Sequence, residues 1–438
     1  MPASPRLLAA AVTVAACLGA QAVPAAAAEP VVSRGVTIPA FYTPPATLPA
    51  QNGALVRSEP LPLALSLPGI DGPLPGRATR LMYKSTDSTG RPVAVTGAYV
   101  EPTSAWRGTG PRPLVAVAPG TLGQGDQCAA SLGLQHPVLF NGRTLSVGYE
   151  TLAVYRLLAK GVAVVITDYA GLGATDRLHT YVNRVDEAHA VLDAVRAARS
   201  LNGASITRTS RVGLFGYSQG GGATAAAAEL QPAYAPDVVL AGTYSGAPPA
   251  DLTAVTEAID GSDLAGALGW SVNGFLQSEP SLRPLADKHL NAAGKAALKD
   301  LSTRCVGDAL FAYNSARSTA WTTDGRSLGD IIEAEPALRD FLADQRIGTM
   351  KPSGPVRVAT GVNDDLVPHG QSRDLAVSWC HKGADVTYKP VVLPDAGRGL
   401  LNHVAPLLAD QGSAISWLTD RLDGEPATSN CATLPAQP

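Results

Sequence analysis

Residues 211–230, RVGLFGYSQGGGATAAAAEL, contain a serine between a short apolar run and an alanine-rich run. The first run has the length and composition of a buried strand, and the second consists of helix formers. Between them, GYSQG matches the G-x-S-x-G pattern, in which a strand turns sharply into a helix and exposes the serine. A plain glycine-rich turn or a nucleotide-binding loop is the alternative, but the glycines lack the GxGxxG spacing. The stretch therefore predicts Ser218 as a nucleophile on a strained turn.

On both sides of this stretch, apolar strand-like runs alternate with helical ones such as VDEAHAVLDAVRAARS. This alternation predicts an α/β fold with a mainly parallel central sheet and helices on both of its faces. Upstream, the sequence from Arg80 predicts a β-hairpin, and the Pro-rich residues 29–60 predict an arm lying on the domain. Pro390 lacks a backbone N–H, which suits a strand near the sheet edge. The predicted strands are Arg112–Ala118, Gly161–Asp168, Arg211–Phe215, Val238–Tyr244, Val356–Thr360 and Asp385–Leu393.

One interval interrupts the alternation. Residues 250–345 lack a convincing strand and contain helical pieces such as DLAGALGWSVNGFLQ and AAGKAALKDL. A helical insertion of this size in an α/β sheet indicates a cap or lid. The apolar residues of LGWSVNGFL either line a lipid-facing tunnel or pack the cap onto the sheet. The predicted domains are a signal peptide at 1–28, an α/β core at 29–249 and 346–438, and the helical cap at 250–345.

A nucleophilic serine requires a base and an acid, and in this fold they follow it in the order acid, then histidine. GVNDDLVPHG comes directly after a predicted strand, where the acid belongs. Asp364 is favoured there over Asp365 as the acid. His403 is predicted to be the base, in the loop after the last strand. His369 and His381 are better explained as surface or packing histidines.

Two backbone N–H groups should hold the negative charge that develops on the substrate oxygen. Gln219, directly after the serine, supplies one of them. The second comes from APGTLGQGDQC, the loop after an upstream strand. Gly120 and Thr121 are both candidates in this loop, and the general geometry of such sites favours Thr121.

The N-terminus has the pattern of an export signal, with Arg6, an apolar run at 7–20 and small residues before Glu29. These features predict a secreted, extracellular protein. The alternative is acylation of Cys17 in VAAC, which would leave a lipoprotein anchor.

Export also affects how the cysteines are interpreted, because an oxidising environment favours disulfides. Spacing leaves three pairings open among the four that remain after the signal, and no CxxC pattern indicates zinc. Neither a metal nor a cofactor is expected. A formal net charge of −3 argues against nucleic acid as a partner, and no later run of ~18 apolar residues predicts a transmembrane segment. The four cysteines are Cys128, Cys305, Cys380 and Cys431.

In order and spacing, these motifs resemble the secretory lipase family of the α/β-hydrolase superfamily. The likeness covers APGTLGQGDQCAAS, VVITDYAGLG, GYSQGG, GVNDDLVP, SWCHKGADVTY and WLTDRLDGEPATSNC. The resemblance implies an α/β-hydrolase fold and a triad of Ser218, Asp364 and His403. It also implies two disulfides, which pair Cys128 with Cys305 and Cys380 with Cys431.

Two departures from the family pattern concern the predicted site. The oxyanion loop has Pro119-Gly120 where His-Gly is common, which affects the geometry of the first donor. Asn402 precedes the histidine where glycine is frequent, which affects the position of that loop. Neither departure removes a member of the triad.

The resemblance implies a secreted serine carboxylester hydrolase, a triacylglycerol lipase or an esterase, that forms an acyl-enzyme without a cofactor. Its partners are ester or lipid substrates, with transient contact between the cap and a lipid interface. Acyl transfer to an alcohol and short-chain esterase activity without lipase activity are the main alternatives. A prolyl peptidase is disfavoured because the cap lacks an acidic cluster, and a non-catalytic binding protein is disfavoured by the intact triad. Acyl chain length and oligomeric state remain open.

Overall fold

The computed structural model describes Met1 and residues 30–64, 76–397 and 399–438. Apart from Met1, the predicted signal peptide, with Cys17, lies outside the described residues. Within the described part, no helix combines the length and apolar content that a membrane span requires.

A nine-stranded sheet forms the centre of the fold, in the order β13-β12-β11-β10-β6-β9-β5-β4-β3. Six neighbouring strands, β13 to β9 in that order, pair in parallel, so the predicted mainly parallel sheet is confirmed. Pro390 lies in β13 at one edge, as predicted. The strands are β1 Val32–Ser33, β2 Val36–Thr37, β3 Leu55–Leu61, β4 Gly76–Thr86, β5 Pro92–Pro102, β6 Leu114–Ala118, β7 Val138–Phe140, β8 Leu145–Val147, β9 Ala163–Ala170, β10 Val212–Tyr217, β11 Leu240–Gly246, β12 Val356–Gly361 and β13 Val386–Val391.

The N-terminal part of the sheet is antiparallel. The predicted hairpin from Arg80 is present as β4 and β5, and β5 pairs with β9. The expectation of an irregular arm at 29–60 is wrong in its last part, because β3 pairs with β4 and forms the other sheet edge. Pro60 argues against a strand in the sequence, because proline cannot donate a backbone hydrogen bond to the sheet. An edge strand such as β3 tolerates this loss.

Helices cover both faces of the sheet, as predicted. Alternate residues along β6 belong to different cores: Leu114 and Ala116 face α3, α4 and α12, while Val115 and Val117 face α1, α2 and α13. The helices are α1 Ala130–Gln135, α2 Thr151–Ala159, α3 Arg184–Arg199, α4 Gln219–Tyr234, α5 Leu252–Ile259, α6 Gly266–Ser278, α7 Arg283–His289, α8 Ala292–Leu301, α9 Val306–Ala312, α10 Leu328–Ala334, α11 Pro336–Asp344, α12 His369–His381 and α13 Leu400–Asp423.

Helices α5 to α11 follow one another without an intervening strand between β11 and β12, and we call them the helical segment. A disulfide between Cys128 and Cys305 joins the loop after β6 to this segment. A second disulfide joins Cys380 in α12 to Cys431 near the C-terminus. These are the pairings that the family resemblance implied. The cap boundaries at 250 and 345 stay a prediction.

Candidate active site

Ser218 lies in the turn between β10 and α4, with φ 58° and ψ −125°. A non-glycine residue in this region is strained, so the surrounding structure must hold it there. The turn is tight because its glycines allow close backbone contacts. A Cβ on Gly216 would lie 2.1 Å from the Gly220 oxygen, and a Cβ on Gly220 would lie 2.0 Å from the Ala118 oxygen. These contacts explain why the pattern requires glycine on both sides of the serine.

Asp364 and His403 lie 39 residues apart in the chain and form a buried hydrogen bond of 2.7 Å between Oδ2 and Nδ1. The other carboxylate oxygen accepts the N–H groups of Leu366 and Val367 at 3.2 and 3.0 Å. The carboxylate is therefore fixed by its own turn after β12. Donation from Nδ1 to it leaves Nε2 of the imidazole as the proton acceptor.

His403 lies in the first turn of α13, so the expectation that it lies in a loop is wrong by a few residues. The ring centroids of His403 and Tyr217 are 5.3 Å apart, and the Tyr217 hydroxyl donates to the His403 carbonyl at 2.8 Å. The histidine thus lies beside the residue that precedes Ser218. Asn402 does not disturb this arrangement, because its side chain accepts from Ala396 N–H and donates to Asp395, which ties the preceding loop to the helix.

The other candidate residues lie elsewhere. The Asp365 carboxylate accepts the Gly399 N–H at 3.0 and 3.1 Å, so it points away from the imidazole. His369 contacts the Gly361 carbonyl and the Tyr388 hydroxyl, and His381 is exposed at the end of α12. Of the acids and histidines considered from the sequence, Asp364 and His403 are the pair that the structure brings together.

The loop after β6 contains both candidates for the second oxyanion donor. The Gly120 N–H donates to the buried carboxyl of Glu150 at 2.8 Å, so it is already engaged. Burial raises the pKa of Glu150 to about 7. Thr121 is held by two tyrosines: its hydroxyl bonds Tyr181 at 2.7 Å and its carbonyl accepts from Tyr149 at 3.1 Å. These contacts favour the Thr121 N–H as the second donor.

Gln219 begins α4, and its side chain enters a buried polar cluster that sequence reasoning missed. Its amide nitrogen donates to Glu187 at 2.7 Å and contacts the His179 Nε2 at 3.1 Å. Burial raises the pKa of Glu187 to about 8 and lowers the pKa of His179 to about 4. One signal in the sequence pointed to Glu187: it lies four residues before Val191, on the buried stripe of α3.

Ser218 and Gln219 line a cavity of about 40 Å³ beneath the helical segment. A second cavity of about 100 Å³ lies inside that segment and is lined almost entirely by apolar side chains. Thr256, Ser271 and Phe275 line both cavities, so the two adjoin. The side chain of Ser218 thus faces a largely apolar space that continues into the helical segment.

A strand-turn-helix serine, an acid and a histidine in this chain order, on a mixed sheet between two helix layers, define the α/β-hydrolase class. Among solved structures, Candida antarctica lipase A in its closed state matches with a TM-score of 0.74 at 20% identity. The match covers 89% of this chain and 87% of that one.

The secretory lipase model matches residues 134–430, and the chain belongs to that family. A Mycobacterium tuberculosis protein named a probable inactive lipase is 29% identical over 400 residues, which cover 89% of this chain and 83% of that protein. A secreted triacylglycerol lipase of Malassezia globosa is 27% identical over 250 residues, which cover 56% and 53% of the two chains.

Proposed function

We propose that this protein is a secreted serine hydrolase of carboxylic esters. Ser218 attacks the ester carbonyl while Nε2 of His403 accepts its proton. The same imidazole then returns the proton to the leaving alcohol. Water hydrolyses the acyl-enzyme by the same route in reverse, and no cofactor takes part in these steps.

The observation that carries the proposal is the 2.7 Å hydrogen bond between His403 and Asp364, beside the strained turn that holds Ser218. Asp364 holds the imidazole in the tautomer that can accept a proton and stabilises the imidazolium that forms. Both side chains are at most about 5% exposed, so water competes little with this interaction.

Backbone N–H groups of Gln219 and Thr121 hold the oxyanion. Gln219 is the first residue of α4, whose N–H groups and dipole favour negative charge at this end of the helix. Three groups around the loop, Glu150, Tyr149 and Tyr181, support the orientation of Thr121 through the bonds described above.

The acyl chain of the substrate occupies the apolar cavities beneath and within the helical segment. Their combined lining is rich in leucine, isoleucine and phenylalanine, and two of the lining rings, Phe275 and Phe341, pack edge to face with their centroids 4.9 Å apart. Burial of methylene groups there contributes about 0.8 kcal/mol each, which favours medium and long acyl chains over acetate.

Hydrolysis of p-nitrophenyl esters from C2 to C16 tests the substrate class. We expect kcat/KM to rise with chain length beyond C4 and to be lost in Ser218→Ala. Activity confined to C2 and C4 would contradict the acyl site in the helical segment, and activity that survives Ser218→Ala would contradict the nucleophile. A relative is named inactive, so the wild-type rate itself decides whether this chain is an enzyme.

Two further parts of the proposal concern location. The two disulfides and the secreted Malassezia relative support an extracellular site of action.

We also propose that the helical segment makes transient contact with a lipid interface when the substrate is insoluble. The expected signature is a rate with emulsified long-chain triacylglycerol that exceeds the rate with the same ester below its solubility limit.

A further inference from the structure

We propose that Glu187 is a positioning residue for the reaction: through the side chain of Gln219 it fixes an oxyanion donor, and through the backbone of Val182 it fixes a wall of the acyl cavity. The inference deepens the proposed function and rests on it. Glu187 lies on α3 and does not contact the nucleophile, so its effect passes through these two neighbours.

A single oxygen atom makes both connections. Oε1 of Glu187 accepts the Gln219 side-chain amide at 2.7 Å and the Val182 backbone N–H at 2.9 Å. Gln219 is the residue whose backbone N–H faces the oxyanion, and Val182 lines the cavity that also contains Ser218. One buried carboxyl group therefore connects the start of α4 to this wall of the cavity.

Val182 needs such support. Its φ is 54°, a conformation that a β-branched residue adopts only when the surroundings impose it. Relaxation toward an ordinary φ would turn its N–H away from Glu187 and move the side chain in the cavity. Loss of the carboxyl should thus alter the fit of the acyl chain as well as the position of Gln219.

His179 completes the environment of the Gln219 amide. Its Nδ1–H donates to the Ala170 carbonyl at 3.0 Å, which leaves Nε2 to accept from Gln219 at 3.1 Å. The His179 carbonyl accepts from Gln124, which also bonds the Trp270 carbonyl in α6 at 3.1 Å. The cluster therefore continues from the nucleophile turn to the helical segment.

The protonation state of Glu187 affects the proposed oxyanion site, because the carboxyl bonds the side chain of Gln219, which supplies one of the donors. Burial raises its pKa to about 8, with a further contribution from Asp186 on the same helix. The titratable groups that face it from the neighbouring segments are His179, Tyr169 and Tyr181, and all three are neutral at pH 7. A neutral carboxyl can hold both donors without placing a negative charge near the developing oxyanion, whereas its ionisation would oppose that charge.

The test compares kcat and KM for p-nitrophenyl butyrate in Glu187→Leu, Glu187→Gln and Gln219→Met. Gln219→Met keeps the backbone donor and removes only the side-chain bonds. We expect kcat to fall about 100-fold in both Glu187→Leu and Gln219→Met, because the lost interaction acts in the transition state. KM should change less than threefold in Gln219→Met, which keeps the Val182 contact, and should rise further in Glu187→Leu, which loses that contact. The double variant Glu187→Leu/Gln219→Met should be no slower than Glu187→Leu, since Glu187→Leu already removes the bond to Gln219 that Gln219→Met removes.

Glu187→Gln should retain kcat within about threefold at pH 7, because a neutral amide reproduces the acceptor oxygen. We expect the wild-type kcat to decline as the pH rises through about 8, where Glu187 ionises, and the kcat of Glu187→Gln not to decline there. The matched control is Glu229→Gln: Glu229 is also fully buried and lies in α4 ten residues after Gln219, but it bonds Arg184, Gly348 and Trp379 and contacts neither Gln219 nor Val182 through a hydrogen bond. We expect its kcat to equal that of the wild type.

Wild-type kcat in both Glu187→Leu and Gln219→Met would overturn the proposal, as would a loss of kcat in Glu229→Gln as large as in Glu187→Leu. A Glu187→Gln variant as slow as Glu187→Leu would also overturn it. If Glu187→Leu does not fold, Gln219→Met and the pH profile of Glu187→Gln give the same decision. No turnover by the wild type would overturn the proposed function together with this inference.

Discussion

Replacing Asp364 with asparagine keeps the shape of the site and changes which nitrogen of the His403 imidazole carries the proton. The carbonyl oxygen of asparagine can still accept from Leu366 and Val367 N–H, as the carboxylate does at 3.2 and 3.0 Å. Its amide group would then face Nδ1 of His403, where the carboxylate oxygen lies 2.7 Å away now. An amide there donates, so Nδ1 must accept and Nε2 must carry the proton. The imidazole is then in the tautomer that cannot accept a proton from Ser218.

We expect Asp364→Asn to lower kcat for p-nitrophenyl butyrate by about 10⁴-fold at neutral pH, the size of effect known when the wrong histidine tautomer is imposed on a Ser-His-Asp triad. Thermal unfolding should change little, because the steric volume is kept. Asp365→Asn is the matched control one residue away: its amide oxygen can still accept the Gly399 N–H, and kcat should stay within about twofold. The reasoning is refuted if Asp364→Asn keeps more than a tenth of the activity, or if Asp365→Asn is the slower of the two.

Three further predictions concern stability. Gly220→Ala should fail to give soluble, folded protein or should unfold at a much lower temperature, because the new Cβ would lie 2.0 Å from the Ala118 oxygen. The control is Gly412→Ala in α13, whose new Cβ meets no atom within 4 Å and which should raise the free energy of unfolding by up to about 1 kcal/mol. Changing both Cys128 and Cys305 to alanine removes a disulfide that spans 177 residues and should lower the free energy of unfolding by up to about 5 kcal/mol. The same change at Cys380 and Cys431, which span 51 residues, should lower it by about 4 kcal/mol. Urea unfolding midpoints equal to that of the wild type would contradict this prediction. Stability should fall as the pH rises from about 6.5 to 8, because folding raises the pKa of Glu150 to about 7 and of Glu187 to about 8 from 4.5, so the folded state binds more protons in this window. His179, whose pKa falls to about 4 from 6.5, gives the opposite slope only below pH 6.5, and urea midpoints that rise between pH 6.5 and 8 would refute the assignment.

Local patterns predicted most of the sheet and the order of the site residues. Each apolar run of the alternating part corresponds to a strand of the parallel region, with ends that differ by a few residues, because a buried parallel strand is apolar on both faces. The turn at Ser218 could be predicted from the sequence because its glycines are required by close backbone contacts, within a few residues and with one neighbouring strand. Asp364 and His403 followed from chain order and lie in hydrogen-bond contact, although their catalytic roles stay predictions.

Features that depend on distant parts of the chain were missed. The sequence favoured Thr121 over Gly120 only on general geometry, because the bond that engages the Gly120 N–H comes from Glu150, 30 residues away. The partners of the Gln219 side chain lie 32 and 40 residues upstream, on a helix and a loop that only tertiary packing brings together. The edge strand β3 was missed because it contains a proline. Proline is tolerated only at a sheet edge, and the sequence alone does not show which strands lie at the edges.

Mass spectrometry of the protein treated with a fluorophosphonate probe tests the central claim most directly, because the probe reacts only with a serine that an adjacent base activates. The account predicts one adduct per chain, on the peptide that contains Ser218, and about a thousandfold slower labelling in His403→Ala at equal folded content. An unlabelled wild type, or an adduct that persists in Ser218→Ala, would contradict the assignment of Ser218 as the nucleophile.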